Sequence, residues 1–292
     1  MTGTDATPVD RRRLLAEATA RLEAGGVASP AHDAAELLAH VLGTTRGRLV
    51  LVDEVAADRA TAYDALVTRR AAREPLQHLT GTAHFRFVEL QVGPGVFVPR
   101  PETELLAGWA IEQALAVAAT EGRPPVVVDL CTGSGAVARA IVDEVPGAVV
   151  HAVELDEDAH AWAQRNLDGT GVDLRHGDMA TAFDELAGTV DVVTCNPPYI
   201  PLWAWESVAP EARDHDPHLA LFSGDDGLDA MRVLARRAAL LLRRGGVVGA
   251  EHADEQGVEA PAVFTADGRW CEVRDHEDLA GRARFLTARL AP

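Results

Sequence analysis

Lysine is absent from this 292-residue chain: all 27 basic residues are arginine, set against 45 acids for a net charge of −18. An all-arginine complement reads as the base composition of a GC-rich genome and carries no function. Cysteine is scarce: Cys131, Cys195 and Cys271 are odd in number and widely spaced. That excludes a disulfide framework and offers no paired metal-ligand spacing, so no metal site is expected. Aromatics make up only 5%. No apolar run approaches the ~20 residues of a membrane helix; stretches such as Ala238–Leu242 stop at arginines. Met1–Asp10 is polar and acidic, without the apolar core of a signal peptide. The expectation is a cytoplasmic protein with no membrane partner. The length allows one large domain or two ordinary ones, with core enough to fold unstapled.

The charge is unevenly spread. Residues 1–80 carry 10 arginines and 11 acids, net −1; residues 81–292 carry 17 and 34, net −17. A binder of phosphate backbones shows a basic face. The larger part of this chain has no such excess, so no direct nucleic-acid partner is expected.

The first 80 residues read as a helical bundle. Leu14, Leu15, Ala18 and Leu22 share one face of a helix over Arg11–Ala24. Ser29-Pro30 opens a second helix, buried through Leu37, Leu38, Val41 and Leu42, which Gly43 ends. Asp58 opens a third that closes on Arg69, Arg70 and Arg73 before Pro75. Residues 81–101 read as a hairpin linker. Phe85, Phe87, Val88, Leu90 and Val92 alternate with one slip of phase, Gly93-Pro94-Gly95 turns, and Val96-Phe97-Val98 is expected to pair back. From residue 102 onward strands and helices alternate. Strands are expected at Val126–Leu130, Val149–Val153, Val190–Cys195, Val247–Glu251, Trp270–Arg274 and Phe285–Arg289, with helices at Gly135–Glu144 and Asp158–Asp168. Such alternation implies an α/β fold, a parallel sheet covered on both faces.

The loop after the first of these strands runs Asp129-Leu130-Cys131-Thr132-Gly133-Ser134-Gly135. Its glycines let backbone approach a ligand and turn tightly into a helix. Alone it fits a nucleotide-like ligand, a dinucleotide fingerprint or a turn needed only for packing. Glu154 ends the next strand, about 20 residues on, where an acid accepts from ribose hydroxyls. Asp158, soon after, reads as a helix N-cap. Asp178 and Met179 follow the third strand, placed for an adenine amino group and the base face, or as ordinary loop residues.

Asn196-Pro197-Pro198-Tyr199 follows the fourth strand. The prolines have no N–H, so the local backbone only accepts, and Pro197 keeps Asn196 out of helical angles. The Asn196 side-chain oxygen and the Pro197 carbonyl then form two convergent acceptors, matched to a planar NH2 group with two donors. Tyr199 offers a flat face for stacking. An amide nitrogen is a poor nucleophile. Holding both its hydrogens aims it at an electrophilic methyl and stabilises the charge that builds on it, and no general base is needed in the transition state.

These features together resemble class I S-adenosylmethionine-dependent N-methyltransferases. Further segments resemble the peptide-chain release factor glutamine-N(5) methyltransferase family in particular: Pro75–Gly81, Phe85, Pro94–Glu104, Asp129–Gly135, Asn196–Pro201, Asp225–Asp229 and Leu279–Arg282. The resemblance runs from about residue 11 to 289. It implies a Rossmann-like seven-stranded methyltransferase sheet whose last strand is antiparallel, over 102–292, preceded by a helical domain, 1–80, that docks the substrate. It implies methyl transfer from S-adenosylmethionine to the glutamine of the Gly-Gly-Gln loop of class 1 release factors. It places Asp129, Cys131, Thr132, Gly133, Ser134, Gly135, Glu154, Asp178, Met179 and Asn196 around the methyl donor. Asn196, Pro197, Pro198 and Tyr199 bind the glutamine, with Asn196, Pro197 and Tyr199 catalytic.

The chain departs from the family pattern in places. Cys131 replaces the usual glycine, which costs some backbone freedom and is tolerable if its φ is negative. Glu154 stands for the commoner aspartate, and Met179 for a frequent aromatic. Arg100 either pairs with Glu102 or Glu104 or lies over the donor site. Trp203 and Trp205 line a docking rim or simply pack. Arg236, Arg237, Arg243 and Arg244 read as a solvated face. A nucleic-acid amino methyltransferase is the alternative function, disfavoured by the acidic catalytic part. A nucleotide binder without transfer chemistry leaves Asn196–Tyr199 idle. A monomer is the default expectation.

Overall fold

The computed structural model describes residues 7–292; the first six residues of the polar Met1–Asp10 stretch lie outside them. The chain divides into two units: residues up to Thr82 together with Ala209–His215, and Ala83–Val208 together with Asp216–Pro292.

The first unit contains β1 (Val9–Asp10), α1 (Arg11–Ala24), α2 (Pro30–Leu42), β2 (Glu54–Val55), α3 (Ala57–Ala71) and α4 (Leu76–Thr80). Asp10 caps α1, accepting from Arg13 N at 2.8 Å. Gly43 ends α2 in the left-handed region at φ 62, where glycine carries no Cβ penalty. α3 begins at Ala57, so Asp58 lies within its first turn rather than at the cap. Leu22, Leu37, Leu38, Tyr63 and Val67 fill the core. The later helix α8 (Pro210–His215) supplies Glu211, which accepts from Arg73 Nε and Nη2 at 2.7 and 2.6 Å and from Arg70 Nη2 at 3.1 Å. Arg70 is buried and also donates to buried Asp33 at 2.8 Å.

The second unit opens with a hairpin of β3 (Thr82–Phe85) and β4 (Val88–Gln91). The phase slip at Arg86-Phe87 is the turn itself, with Arg86 at φ 51. Val96–Val98 forms no strand, contrary to expectation. Val96 and Val98 are instead buried side chains on an irregular run, and Val96 packs with Ala83, Val92 and Ala159. After α5 (Thr103–Glu121) come β5 (Val126–Leu130), α6 (Ala136–Glu144), β6 (Val149–Glu154), α7 (Glu157–Leu167), β7 (Asp173–His176), β8 (Val190–Cys195), α9 (His218–Leu221), α10 (Asp229–Leu241), β9 (Leu242–Glu251), α11 (Glu259–Asp267), β10 (Trp270–Glu277) and β11 (Ala283–Leu290). The hairpin is fastened to α7. Asn166 donates to Gln91 O at 2.9 Å and accepts from Gln91 N at 2.7 Å.

Seven strands form one sheet in the order β10-β11-β9-β8-β5-β6-β7. β5 pairs in parallel with both β6 and β8, and β11 is antiparallel to both its neighbours. β8 is buried at every position, the mark of a central strand covered on both faces. One core layer holds Val128, Leu130, Val193, Leu234 and Phe264; the other holds Phe85, Ala110, Val127, Ile141 and Val192. The strand order reverses at β5, with β6 and β7 added on one side and β8 and β9 on the other, and open α/β sheets bind ligands beyond the strand ends at such a switch point.

Candidate active site

Three loops meet at that switch point, after β5, β6 and β8. The β5 loop is held from below. Asp129 is 2% exposed; its Oδ2 accepts from Thr132 Oγ1 at 2.6 Å and its Oδ1 from Thr194 Oγ1 at 2.7 Å. Burial pushes its carboxyl up to about 6, against the pull of the two hydroxyls. With each oxygen facing a protein hydroxyl, Asp129 braces the loop.

Cys131 has φ 58, the left-handed region. The condition for easy tolerance, a negative φ, is not met: the glycine-like conformation persists with a side chain on it. Its thiol packs against the sheet core and lies 3.5 Å from Met179 Sδ, which brings the third strand's loop against the first. Gly133 has φ 56, and a Cβ built there would meet nothing within 4 Å, so the loop presents bare backbone on an open side. Gly135, at φ 83, caps the start of α6; a Cβ there would come within 3.0 Å of Leu167. Ser134 is buried and its carbonyl accepts from Asn166 at 2.9 Å.

Glu154 reaches the same loop. Its Oε2 accepts from Gly133 N at 2.7 Å, and its Oε1 from Leu155 N and Asp156 N at 2.8 and 2.9 Å. Burial raises its carboxyl above the usual range in spite of these three donors. Asp156, not Asp158, caps α7, accepting from Asp158 N and Ala159 N at 3.0 Å. Asp178 is exposed and its Oδ1 caps the turn at Ala180 N at 2.8 Å.

After β8, Asn196 is half-buried and Pro197 buried. Asn196 Nδ2 donates to Thr103 Oγ1 at 3.3 Å. With its nitrogen engaged there, the side-chain oxygen is left as an acceptor. Tyr199 donates from its hydroxyl to Glu251 Oε1 at 3.4 Å, and its carbonyl accepts from Gln256 Nε2 at 3.1 Å. Burial beside the Glu251 carboxyl raises the Tyr199 phenol well above its ordinary range, so it stays protonated. Thr103 and Glu251 were not singled out from the sequence. The signal available was an acid, Glu251, closing the apolar run at the end of a buried parallel strand.

The remaining expectations divide. Arg100 pairs with neither Glu102 nor Glu104; its Nη2 donates to Asp216 at 2.9 Å and its guanidinium lies over Phe97. Trp205 packs on His218 and Phe222 with ring centroids 4.8 and 5.5 Å away, whereas Trp203 is 78% exposed. The arginine strip divides: Arg236 and Arg244 are exposed, but the other two are not solvated. Arg237 is buried and donates to Asp184 at 2.6 Å, and Arg243 pairs with Asp191 and Glu121.

Two family models match: the PrmC N-terminal domain over residues 13–81 and a methyltransferase domain over 127–215. A release factor glutamine methyltransferase of Streptomyces coelicolor is 58% identical over 277 residues, covering 95% of this chain and 97% of that protein. The chain belongs to the release factor glutamine methyltransferase family. It is accordingly a methyltransferase. Another member, from Mycolicibacterium smegmatis, is 47% identical over 95% of the chain and 96% of its own length. A relative outside the family's name, the 4-amino-L-phenylalanine/4-methylamino-L-phenylalanine methyltransferase of Streptomyces pristinaespiralis, is 42% identical over 88% of each chain. Among solved structures, the hMettl16 catalytic domain in complex with MAT2A 3'UTR hairpin 6 superposes with TM-score 0.54 at 12% identity, over 69% of this chain and 75% of that one. That likeness concerns the fold alone. Among the described residues no helix is long and apolar enough to cross a membrane.

Proposed function

We propose that this family member transfers a methyl group from S-adenosylmethionine to the side-chain amide nitrogen of the glutamine in the Gly-Gly-Gln loop of class 1 release factors. The products are N(5)-methylglutamine and S-adenosylhomocysteine. The observation that carries the substrate is the 58% identity to a release factor glutamine methyltransferase across 95% of the chain.

The donor residues fit such a group. The open backbone at Gly133, the Glu154 carboxylate beside it and Met179 against Cys131 lie together at the strand ends. A carboxylate has about four acceptor sites. Three backbone N–H groups already use Glu154, which leaves room for one ribose hydroxyl before the Gly133 contact must yield. The bound donor supplies an electrophilic methyl on sulfur.

The chain's own residues do the rest. The Asn196 oxygen and Pro197 carbonyl accept the two amide hydrogens and fix the nitrogen in line. The same pair stabilises positive charge as it grows on that nitrogen. Tyr199 packs its ring on the planar amide, and after methyl transfer the nitrogen releases its extra proton to water. The helical segment 1–80 is assigned the docking of the protein substrate, residues 81–101 the link, and 102–292 the chemistry.

The test is peptide mass spectrometry on a purified class 1 release factor from the same organism, incubated with this protein and S-adenosylmethionine. A gain of one methyl on the Gly-Gly-Gln glutamine is expected. The relative named for an arylamine shows why free 4-amino-L-phenylalanine belongs in a parallel reaction: two acceptors and a flat face suit that amine too. Methylation of the amine or of a nucleic acid, with the release factor untouched, overturns the substrate.

A further inference from the structure

We infer that Glu251 is a positioning residue for the transfer: it sets the direction of a hydrogen-bond relay that makes Asn196 present its oxygen, not its nitrogen, to the acceptor. This rests on the reading that Asn196 binds the acceptor amide.

Glu251 ends β9 and is 1% exposed. As a carboxylate it only accepts. Its Oε2 takes the single hydroxyl proton of buried Thr103 at 2.7 Å. The lone pairs of Thr103 Oγ1 are then all that remains for Asn196, which answers with Nδ2 at 3.3 Å. The other carboxylate oxygen takes the Tyr199 hydroxyl proton at 3.4 Å. One buried charge thus holds both ends of Asn196-Pro197-Pro198-Tyr199.

The amide of asparagine is nearly symmetric in shape, so packing alone does not decide which end faces Thr103. The relay decides it. A neutral Glu251 carries its own proton and can donate it to Thr103 Oγ1. The threonine proton then turns to Asn196 and draws its oxygen away from the acceptor, leaving an NH2 group facing an NH2 group. The groups facing Glu251 are Thr103 and Glu102 at the start of α5, Tyr199 after β8 and Arg284 on β11. Burial and Glu102 favour the neutral form, while Thr103, Arg284 and Tyr199 favour the charged one. The balance lies at about 7.

The test follows turnover at saturating donor and acceptor from mildly acidic to mildly alkaline pH. Wild-type kcat should fall as pH drops through about 7, with donor Kd nearly constant across that limb. Glu251→Gln keeps the volume but can donate; it should lower kcat about 10- to 100-fold, the scale of misplaced reacting groups, and abolish the limb. Thr103→Ser should keep wild-type kcat, whereas Thr103→Val, with Glu251 intact, should lose it as Glu251→Gln does. All four proteins should bind the donor alike, which checks that each is folded. An unchanged limb in Glu251→Gln, or equal kcat for Thr103→Ser and Thr103→Val, overturns the relay. The Asn196 side-chain amide hydrogens, followed by NMR, give a readout independent of the acceptor. They should exchange slowly in the wild type and Thr103→Ser and fast in the other two variants. Equal exchange overturns the relay even if the release factor proves not to be the substrate, and the expected pattern upholds it in that case.

Discussion

Replacing Glu154 by glutamine conserves shape and removes a charge, and the structure makes this a severe change for donor binding. The carboxylate accepts from Gly133 N at 2.7 Å on one oxygen and from Leu155 N and Asp156 N at 2.8 and 2.9 Å on the other. A glutamine has one oxygen to offer. Two N–H groups hold it at the Leu155–Asp156 side, so its NH2 group faces the Gly133 N–H, donor against donor. With its one oxygen taken, the glutamine also offers the ribose hydroxyl no charged acceptor, and the complex loses one such hydrogen bond, worth about 1.5–3 kcal/mol. At about 1.4 kcal/mol per tenfold, donor affinity should weaken roughly 10- to 150-fold. Calorimetric titration with S-adenosylmethionine measures this directly. Because burial raises the Glu154 carboxyl, wild-type affinity should be present at neutral pH. It should be lost as pH falls, and sooner than for an ordinary carboxylate. The glutamine variant should show no such loss. Binding within about twofold of the wild type would refute the claim that Glu154 must accept on both sides.

Three further outcomes follow from the same geometry. Asn196→Ala should leave donor affinity nearly intact but cut turnover about 10²-fold or more, as loss of a preorganised polar group at the reacting atom does; single-turnover assays near wild-type rate would sink the acceptor pair. At Cys131, φ 58 strains any side chain by about 1–2 kcal/mol. Cys131→Gly should therefore unfold at higher denaturant than Cys131→Ala, which keeps the strain and loses the thiol; the opposite order would mean that the position is unstrained. In the first unit, Asp33→Ala strips a buried partner from Arg70 and should lower unfolding free energy by about 3 kcal/mol, a loss below about 1 kcal/mol showing that Glu211 and the Glu74 carbonyl suffice.

Much of the fold was legible because its elements are written locally. Val126–Leu130 and Val190–Cys195 are short, mostly apolar runs, and they form strands with those bounds. Pro30 and Gly43 bracket a helix because a ring that presets φ and a residue free of Cβ can do little else there. Errors fell where local patterns are ambiguous. Val96–Val98 has strand composition but no partner strand, and the slip at Arg86-Phe87 was the turn itself. Arg237 and Arg243 looked solvated because a sequence cannot show Asp184, Asp191 and Glu121 arriving from distant segments.

By itself, then, the sequence determined the alternation of strands and helices, the glycine loop, the acid at Glu154 and the acceptor-only backbone of Asn196–Tyr199, since each depends on neighbours a few residues apart. Only the tertiary structure decided which groups hold those residues in place. Asp129 meets Thr194 across 65 residues, and Thr103 meets Glu251 across 148. Hydrogen bonds between groups that far apart leave no spacing to read, and their direction is fixed only when burial removes the water that would otherwise satisfy them.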